Sequence, residues 1–235
     1  LEAPSGPMPT TWTSKSRIHA LCLLILGLLW VYHIHARSPH MEHIHYYNVS
    51  DFNTPLGIQS IDVVHRQGLA HKGVWVHVLN NKFQVLLVRR SPKLRTCPNR
   101  LALIGEHVEP SDKDFEHTVR RGLMEEILSP SELADVGDVQ HLYTKLLTLQ
   151  YPGNVRTDVQ LTWFGYLLYN KSITEVELNA SEAAPHARFY DLGEALSMAR
   201  ARPSDFCLGE YLDILYTDAW EMLCKRFRPP SCPAA

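Results

Sequence analysis

The sequence lacks several features that would narrow its function at once. It has 23 Lys and Arg residues against 25 Asp and Glu residues, so no excess of positive charge indicates a nucleic-acid partner. Its five cysteines include no C-x-x-C pair, which argues against a zinc ribbon or a redox motif of that type. No internal repeat is visible. The composition, 45% hydrophobic and 20% charged, is that of a globular protein, and 235 residues accommodate one domain of about 150 residues with appendages.

An apolar run near the N-terminus is the first positive signal. Residues 18–34 contain no Asp, Glu, Lys or Arg and follow the basic residues Lys15 and Arg17. Because this length is close to the lower limit for a spanning helix, we expect a single-pass transmembrane signal anchor there. The preceding basic residues favour a cytoplasmic N-terminus and a body in the lumen of the endoplasmic reticulum or Golgi. A cleaved signal peptide with a secreted body, or a body facing the cytosol, stays open.

Glycosylation signals and cysteines bear on the same question. Three Asn-x-Ser triplets follow the apolar run, beginning at Asn48, Asn170 and Asn179. They favour a glycoprotein. Four cysteines also lie beyond the run, at Cys97, Cys207, Cys224 and Cys232. These four can form three full sets of disulfides or stay as buried free thiols.

The chain divides by composition into five parts. They are a disordered tail, the signal anchor, a flexible histidine-rich stalk, the folded domain and a C-terminal tail, over residues 1–17, 18–34, 35–59, 60–228 and 229–235. Strands are predicted by β-branched apolar runs at residues 73–79, 83–89, 101–104, 141–150, 159–169 and 188–190. Helical spacing predicts helices after residue 111, at 192–201 and at 205–227. This alternation indicates an α/β fold with a mixed sheet packed between helices.

Residues 105–128, GEHVEPSDKDFEHTVRRGLMEEIL, combine a turn-rich loop with one of these helices. Ser111 is a good helix N-cap, and Asp114 three residues later resembles the acidic partner of a capping box. Apolar residues then recur every four positions, at Phe115, Val119, Leu123 and Ile127. This spacing predicts a buried helical face.

The polar residues of the same segment suggest its chemistry. Arg121, Glu125 and Glu126 lie about one helical turn apart, so a cation and two anions share a short surface beside a glycine-containing loop. This combination suits divalent-metal and phosphate chemistry. Basic residues cluster just before the segment, at Arg89, Arg90, Lys93, Arg95 and Arg100. They form either a solvated loop or a positive rim that attracts a substrate's phosphates.

The segment resembles the Nudix box, whose pattern is G-x5-E-x7-R-E-U-x-E-E-x-G-U with U aliphatic. The residues in register with its arginine, aliphatic position and paired glutamates are Arg121, Leu123, Glu125 and Glu126. The loop over residues 105–110, GEHVEP, is similar to the common GGHVEPGE form. The resemblance covers roughly residues 60–200 and implies a Nudix-like α/β/α sandwich.

The segment also departs from the pattern. Gly122 occupies the place of the glutamate after the arginine, which is a principal metal ligand in the family. Glu106 stands where the second glycine usually is. Asp112 is nearest to the loop glutamate but lies one residue too far from Arg121, which indicates an insertion. A glycine within a helix also costs about 1 kcal/mol relative to alanine.

Residues 65–71, HRQGLAH, followed by GVWVHVLNNKFQVLLVRRS, look like the opening of the subgroup that includes isopentenyl diphosphate isomerases. In those enzymes, histidines near the places of His65, His71 and His107 help to bind a metal. The isomerase loop, however, carries a catalytic cysteine just before its Gly-His, where this chain has Ile104 and Gly105. Isomerase activity is therefore the less expected function, and His65 and His71 also fit a role in ordinary packing.

The resemblance implies a metal-dependent hydrolase of a nucleoside diphosphate derivative or related pyrophosphate, with Mg²⁺ or Mn²⁺ as cofactor. The implied metal ligands are Glu125 and Glu126, with Asp112, Glu109 and His107 as further candidates. Arg121 would order the loop and so serve catalysis, while Arg89, Arg90 and Gly105 would meet the diphosphate substrate. The alternative is a catalytically impaired Nudix-like domain kept for binding or scaffolding, because Gly122 removes a ligand.

Overall fold

The computed structural model describes residues 42–94, 96–128, 133–134, 136–151, 156–170 and 183–232. The tail and the signal anchor predicted for residues 1–34 lie outside these ranges, as do the last three residues. None of the helices within the described ranges combines the length and the apolar content needed to cross a bilayer.

The described part of the chain contains nine strands, which form one connected sheet, and four α-helices. The strands are β1 (His43–Asn48), β2 (Asp51–Ser60), β3 (Ala70–Leu79), β4 (Gln84–Arg90), β5 (Leu101–Ala102), β6 (Ile104–His107), β7 (Gln140–Gln150), β8 (Thr157–Leu168) and β9 (Ala183–Asp191). The helices are α1 (Ile61–Gln67), α2 (Phe115–Glu126), α3 (Leu192–Ala201) and α4 (Asp218–Phe227).

Strand β3 organises the sheet. It pairs in parallel with β8 along its whole length and antiparallel with β6. Strand β7 continues the sheet beyond β8, and β4 pairs with both β5 and β9. The sheet therefore contains parallel and antiparallel pairs, as the sequence predicts.

The two faces of β3 contribute to two separate cores. Successive strand residues point to opposite faces, and Val74, Val76 and Val78 pack on the face covered by α2. Leu79 belongs to the second core, which α3 and α4 cover. The α2 residues in the first core are Val119, Leu123 and Ile127, with Phe115 partly buried against them. Full burial of such side chains contributes roughly 1.5–3 kcal/mol each. The sheet is thus packed between helices, and the predicted α/β class is confirmed.

Helix α2 begins later than the sequence predicts. Its N-cap is Asp114, whose carboxylate accepts a hydrogen bond from the His117 backbone N–H at 2.8 Å. Ser111 lies in the preceding loop, where its hydroxyl donates to Glu109 at 3.4 Å. The predicted capping roles of Ser111 and Asp114 are therefore wrong. Both residue types cap well because each offers an oxygen to an unpaired N–H, so local sequence alone favours neither.

Residues 43–60 form a β-hairpin in place of the flexible stalk expected over 35–59. Strand β1 buries Ile44 completely and pairs with β3 through Tyr47 and Ala70. Strand β2 lies at the edge of the sheet, where its Pro55 and its exposed polar residues are tolerated. Because of these residues, the strand could not be recognised from the sequence. The interpretation of this stretch as a flexible stalk is therefore wrong.

The single helix predicted for residues 205–227 is divided. Only Asp218–Phe227 is α-helical, and the shorter turns before it are Pro203–Asp205, Gly209–Tyr211 and Asp213–Thr217. Leu208 adopts a left-handed conformation with φ +55°, and a Cβ at position 209 would lie 1.8 Å from the Pro203 carbonyl oxygen. This close backbone approach requires glycine and prevents a continuous helix.

Two disulfides resolve the pairing that the sequence left open. Cys97 pairs with Cys207, and Cys224 pairs with Cys232. The first joins positions 110 residues apart and ties the loop after β4 to the segment before α4. Cys207 is further held by a backbone hydrogen bond of 2.8 Å to the Leu101 carbonyl.

Candidate active site

Arg121 on α2 holds the preceding loop against the helix. Its Nη2 donates to the His107 carbonyl at 2.6 Å and to Asp112 at 3.1 Å. Its Nη1 lies 3.3–3.5 Å from three further carboxylates, those of Glu106, Glu109 and Glu125. We call these contacts the Arg121 network. Burial alone would lower the pKa of Arg121, but the bond to Asp112 and the surrounding carboxylates raise it, so the guanidinium stays charged.

Asp112 is the most fully bonded carboxylate of this network. Its side chain is buried and accepts from the Glu109 backbone N–H at 2.9 Å, the Thr118 hydroxyl at 2.9 Å and Arg121. His117 Nδ1 lies 2.9 Å from its second oxygen. Burial raises its pKa, but the bonds from Arg121 and the Glu109 N–H outweigh this and lower it. Because both oxygens are engaged, we assign Asp112 to holding the loop rather than to metal binding.

Four side chains that are distant in sequence meet beside this network. They are His65, His71, His107 and Asp158, which we call the histidine cluster. One ligand atom from each lies within 4.8 Å of the other three. The three imidazole centroids are each 5.3 Å from the other two. Three nitrogens and one oxygen at these separations form a donor set for a metal ion.

Local structure explains how these residues converge. Helix α1 carries His65 and ends at Gly68, whose φ of +60° is left-handed and unstrained for glycine. The chain reverses there and places His71 on β3. Asp158 comes from β8, which runs parallel to β3, and His107 comes from β6, where it pairs with Gly73.

Three buried polar atoms of the histidine cluster lack hydrogen-bond partners. His71 Nδ1 lies 3.1 Å from the Leu69 carbonyl, which can only accept, so Nδ1 carries a proton. His71 Nε2 then faces Asp158 Oδ1 at 3.2 Å, close enough for an ion pair if the imidazole is protonated, but the two atoms do not have the geometry of a hydrogen bond. His65 Nε2 is also buried and unbonded. Each such atom costs roughly 1–3 kcal/mol, and a shared cation would satisfy all three.

His107 is oriented by a carboxylate. Its Nδ1 lies 2.9 Å from Glu42 Oε1, so Nδ1–H donates to Glu42 and Nε2 is directed elsewhere. Burial alone would lower the pKa of His107, but Glu42 and the other nearby carboxylates raise it to about 9. The same pairing lowers the pKa of Glu42 despite its burial. A metal ion at Nε2 would displace the second proton of this imidazolium.

His65 and Asp158 have the protonation states that a cation requires. Burial and the neighbouring positive His107 lower the pKa of His65 to about 4, so its imidazole is neutral at neutral pH. Burial raises the pKa of Asp158, but the contact with His71 and the nearby histidines lower it overall. A neutral imidazole and an ionised carboxylate are the forms that bind metals.

A second group of carboxylates lies next to the cluster. Glu125 and Glu126 end α2, and Glu106, the residue before His107, approaches the same helix from β6. Burial and the charge of Glu126 raise the pKa of Glu106 well above its usual range, although Arg121 opposes the shift. We call Glu106, Glu125 and Glu126 the helix-end carboxylates. Oxygen ligands of this kind suit Mg²⁺ or Mn²⁺.

A cavity of about 200 Å³ opens beside the histidine cluster. The charged and titratable side chains along its wall are His65, Arg90, Glu106, His107, Tyr151, Arg156 and Asp158. Arg90 is held by the Thr96 carbonyl and hydroxyl, each at 3.2 Å. Carboxylate, imidazole and guanidinium groups therefore meet around one space.

The structure separates the residues that the sequence proposes. Those that line the cavity are Gly105, His107 and Arg90. Arg89 does not line it and donates to the Asn99 carbonyl at 2.5 Å. Glu125 and Glu126 are near enough to Glu106 for their charges to raise its pKa, without lining the cavity themselves.

Sequence reasoning missed several residues of this site. Asp158 gave no signal, because it stands far from every other member of the histidine cluster in the chain. Glu42 fell in the segment interpreted as a stalk. Glu106 could be recognised only as a departure from the box pattern, which usually has a glycine at that position. Gly122 departs from the same pattern in the opposite sense, because a glycine replaces a glutamate there.

Comparison with one solved structure supports the fold. DR0079 from Deinococcus radiodurans shares 16% identity with a TM-score of 0.53, over 74% of this chain and 99% of that one. The MutT protein from Methanosarcina mazei Go1 shares 18% identity with a TM-score of 0.45, over 67% of this chain and 94% of that one. The NUDIX domain of Shewanella oneidensis NrtR, solved with ADP ribose, shares 18% with a TM-score of 0.45, over 67% and 88%.

A search of curated proteins finds no match. The family model of the NUDIX domain matches residues 69–209, more than half of the chain. That range runs from the start of β3 to the turn before α4 and includes α2 and the loop that Arg121 holds. The family match explains both the mixed sheet between helices and the arginine-held loop before α2. The chain belongs to the Nudix family.

Proposed function

We propose that this protein is a divalent-metal-dependent hydrolase that cleaves the phosphoanhydride bond of a nucleoside diphosphate derivative or related pyrophosphate. The observation that carries the proposal is the convergence of unbonded, buried metal-ligand atoms and two arginines on one cavity. Phosphoanhydride cleavage needs neutralised phosphates and an activated water, and it needs little covalent chemistry from the protein.

The residues present fit a divalent ion. The helix-end carboxylates offer oxygen ligands, and the histidine cluster offers three imidazoles and one carboxylate. Buried ligand atoms without hydrogen-bond partners, at His65, His71 and Asp158, favour an ion in the cluster. A bound ion would supply positive charge for the phosphates and acidify a water molecule.

The other residues position the substrate and the loop. Arg90 and Arg156 line the cavity, where their guanidinium groups can form charge-assisted hydrogen bonds with phosphate oxygens. Thr96 holds Arg90, and Asp62 holds Arg156. Because each arginine is already oriented by a protein partner, less side-chain entropy is lost on binding. Arg121 fixes the end of β6 at His107 and the loop that follows it, and takes no part in proton transfer.

The test is turnover by the purified full-length chain. A panel of nucleoside diphosphate derivatives and inorganic pyrophosphate is assayed with Mg²⁺ and with Mn²⁺, for wild type, Glu126→Gln and Asp158→Asn. We expect phosphate release that needs the metal and falls about 100-fold in at least one variant. The matched control is Glu116→Gln, an exposed glutamate on the same helix that pairs with Arg120. Absence of turnover with every compound would reject the proposal in favour of a binding or scaffold domain.

An isomerase-like reaction is the second candidate, because the three clustered histidines resemble the metal site expected from that subgroup. Among the described residues that line the cavity, the cysteine is Cys207, which is bonded to Cys97 and so offers no free thiol to the site, while Gly105 stands at the cavity. Assay with isopentenyl diphosphate distinguishes the two reactions, since isomerisation releases no phosphate.

We also propose that the folded body lies in an oxidising compartment, the lumen of the secretory pathway or the exterior. Two disulfides support this location, because such bonds persist mainly there. Asn48 of the first sequon lies exposed at the β1–β2 turn. A glycosidase-sensitive mobility shift of the full-length protein is expected, and cell fractionation separates an anchored from a secreted form. An unshifted protein with free thiols would place the body in the cytosol.

A further inference from the structure

Glu106 and Gly122 compete for one volume. A Cβ built on Gly122 would lie 2.2 Å from Cγ and 3.3 Å from Oε1 of Glu106. The space that a side chain at position 122 would enter is therefore filled by Glu106, which reaches it from β6. In the box pattern, position 122 carries a glutamate and position 106 a glycine. The chain has the two residue types in the opposite arrangement.

We propose that Glu106 takes over the role of the missing box glutamate, so that Glu106, Glu125 and Glu126 form the carboxylate part of the metal site. This inference rests on the metal-dependent function proposed above. It replaces the earlier expectation that Asp112 or Glu109 compensates for Gly122. Asp112 is excluded because its oxygens already hold the loop.

The position of Glu106 supports the assignment. Its Oε2 lies 3.4 Å from Arg121 Nη1, and Glu125 Oε2 lies 3.3 Å from the same nitrogen. One guanidinium nitrogen thus brings a strand carboxylate and a helix carboxylate together at α2. A glutamate at position 122 would project from the helix into the same space.

A second observation points to a cation at this place. Glu106 lines the cavity together with His65 and Asp158, which are 5% and 3% exposed. His65 Nε2 and Asp158 Oδ1 are buried without a hydrogen-bond partner. The Glu106 carboxylate therefore borders a space whose other donor atoms also require a positive ligand.

The competing role for Glu106 is purely structural, as a filler above Gly122 and a partner of Arg121. Activity alone does not separate the two roles, because a displaced loop would also reduce turnover. Affinity for Mn²⁺ separates them. Glu106→Gln keeps the shape of the side chain and its contact with α2, and it removes only the negative charge.

The experiment measures Mn²⁺ affinity by isothermal titration and turnover in parallel, with thermal unfolding to verify each fold. The variants are Glu106→Gln, Gly122→Glu, the exchange Glu106→Gly with Gly122→Glu, and the control Glu116→Gln. We expect Glu106→Gln to bind Mn²⁺ about tenfold more weakly. Gly122→Glu alone should unfold at lower temperature, because two side chains then occupy one volume. The exchange should restore affinity to within about threefold of wild type, a change small beside the tenfold loss, and Glu116→Gln should match wild type.

Unchanged Mn²⁺ affinity in folded Glu106→Gln overturns the inference, and so does a folded exchange variant that fails to regain affinity. Turnover that survives in Glu106→Gln with wild-type affinity rejects this inference and leaves the proposed function intact. Mn²⁺ binding that depends on Glu106, without hydrolysis of any pyrophosphate, supports the inference and rejects the hydrolase. Absence of Mn²⁺ binding by wild type rejects both.

Discussion

The Arg121 network and the histidine cluster lie next to each other, but they differ in how their polar atoms are bonded. In the network, Asp112 accepts from a backbone N–H, a hydroxyl and a guanidinium. In the cluster, the facing atoms of His71 and Asp158 approach to 3.2 Å without a hydrogen bond, and both are buried.

This difference shows in which region the chain itself supplies partners for the buried polar atoms. Buried polar groups in native proteins are almost always bonded, and the histidine cluster brings together three that are not, on His65, His71 and Asp158. Within the Arg121 network, Asp112 needs no further partner and serves to hold the loop. The histidine cluster is the region that we propose to bind a cation. Glu106 and His107 are adjacent on β6, so one strand contributes a residue to the Arg121 network and a residue to the histidine cluster.

Removal of Arg121 should produce the largest effect. Arg121→Gln leaves buried Asp112 and its neighbouring carboxylates without their cation, and the Arg121 side chain is only 12% exposed. We expect the free energy of unfolding to fall by about 3–5 kcal/mol, as measured by urea denaturation. Added metal should not restore it. A loss below about 1 kcal/mol would show that the loop is held by other contacts.

Metal binding to the histidine cluster should produce the next largest effect. Zn²⁺ or Mn²⁺ at a hundred times its dissociation constant should stabilise the folded chain by about 2.7 kcal/mol. Asp158→Asn should remove most of this stabilisation, because it replaces an ionised ligand by a neutral amide. Thermal unfolding with and without a chelator measures the change. If the metal fails to raise the wild-type melting temperature, the contrast between the two regions disappears.

His77 offers a buried histidine outside the cluster for comparison. It is 0% exposed, with Nδ1 3.0 Å from the Gly165 carbonyl, and burial lowers its pKa from 6.5 to about 4, although that hydrogen bond opposes the shift. Between pH 6.5 and pH 4 the His77 imidazole therefore binds a proton in the unfolded chain but stays neutral in the folded chain. As a result, the free energy of unfolding falls as the pH falls towards 4.

The variant His77→Phe removes the contribution of His77 to the pH dependence of stability. Between pH 7 and pH 5, wild type should lose about 2 kcal/mol more stability than the variant, as measured by urea unfolding at each pH. Metal should not alter this difference, in contrast with the histidine cluster. Equal losses in both proteins would mean that His77 is protonated in the folded state.

The exposed pair Arg120–Glu116 should produce the smallest effect and calibrates the others. Its atoms approach to 2.8 Å, but the Glu116 side chain is 51% exposed. Glu116→Gln should change the free energy of unfolding by about 0.3 kcal/mol, with metal affinity unaltered. A loss near that of Arg121→Gln would mean that surface charges on α2 govern stability in general.

The sequence predicts those parts of the fold that follow from local periodicity. The stripe of Val119, Leu123 and Ile127 is buried as expected, and the helix over Leu192–Ala201 has the predicted limits. The predicted central strands differ from the observed ones by a few residues at their ends. In these elements, the hydrophobic pattern and the tertiary burial agree.

The errors arise where tertiary contacts override local pattern. The apolar spacing of residues 205–227 fits a helix. In the structure, however, Phe206 forms an isolated β-bridge with Leu101, and Gly209 packs directly on the Pro203 backbone. The hairpin over residues 43–60 joins the sheet through the pairing of Tyr47 with Ala70 of β3, and its polar residues give no local signal of this contact. Neither feature follows from short-range preference.

The site was predictable only in part for the same reason. Arg121, Glu125 and Glu126 stand close together in sequence, so helical geometry alone places them near one another. Asp158 reaches the histidines through the parallel pairing of β3 with β8, which no local pattern specifies. Asp112 was interpreted as a metal ligand because its spacing gave no indication that Thr118 and Arg121 would occupy its oxygens.

The shared volume at Gly122 has a consequence for motif searches. A linear pattern scores positions 106 and 122 as two separate defects and would discard this chain as degenerate. In three dimensions the side chain of Glu106 on β6 fills the space beside Gly122, so the two departures are linked. Sequences in which a lost acidic residue coincides with a gained one elsewhere should therefore be scored as pairs, because compensation of this kind cannot be seen one position at a time.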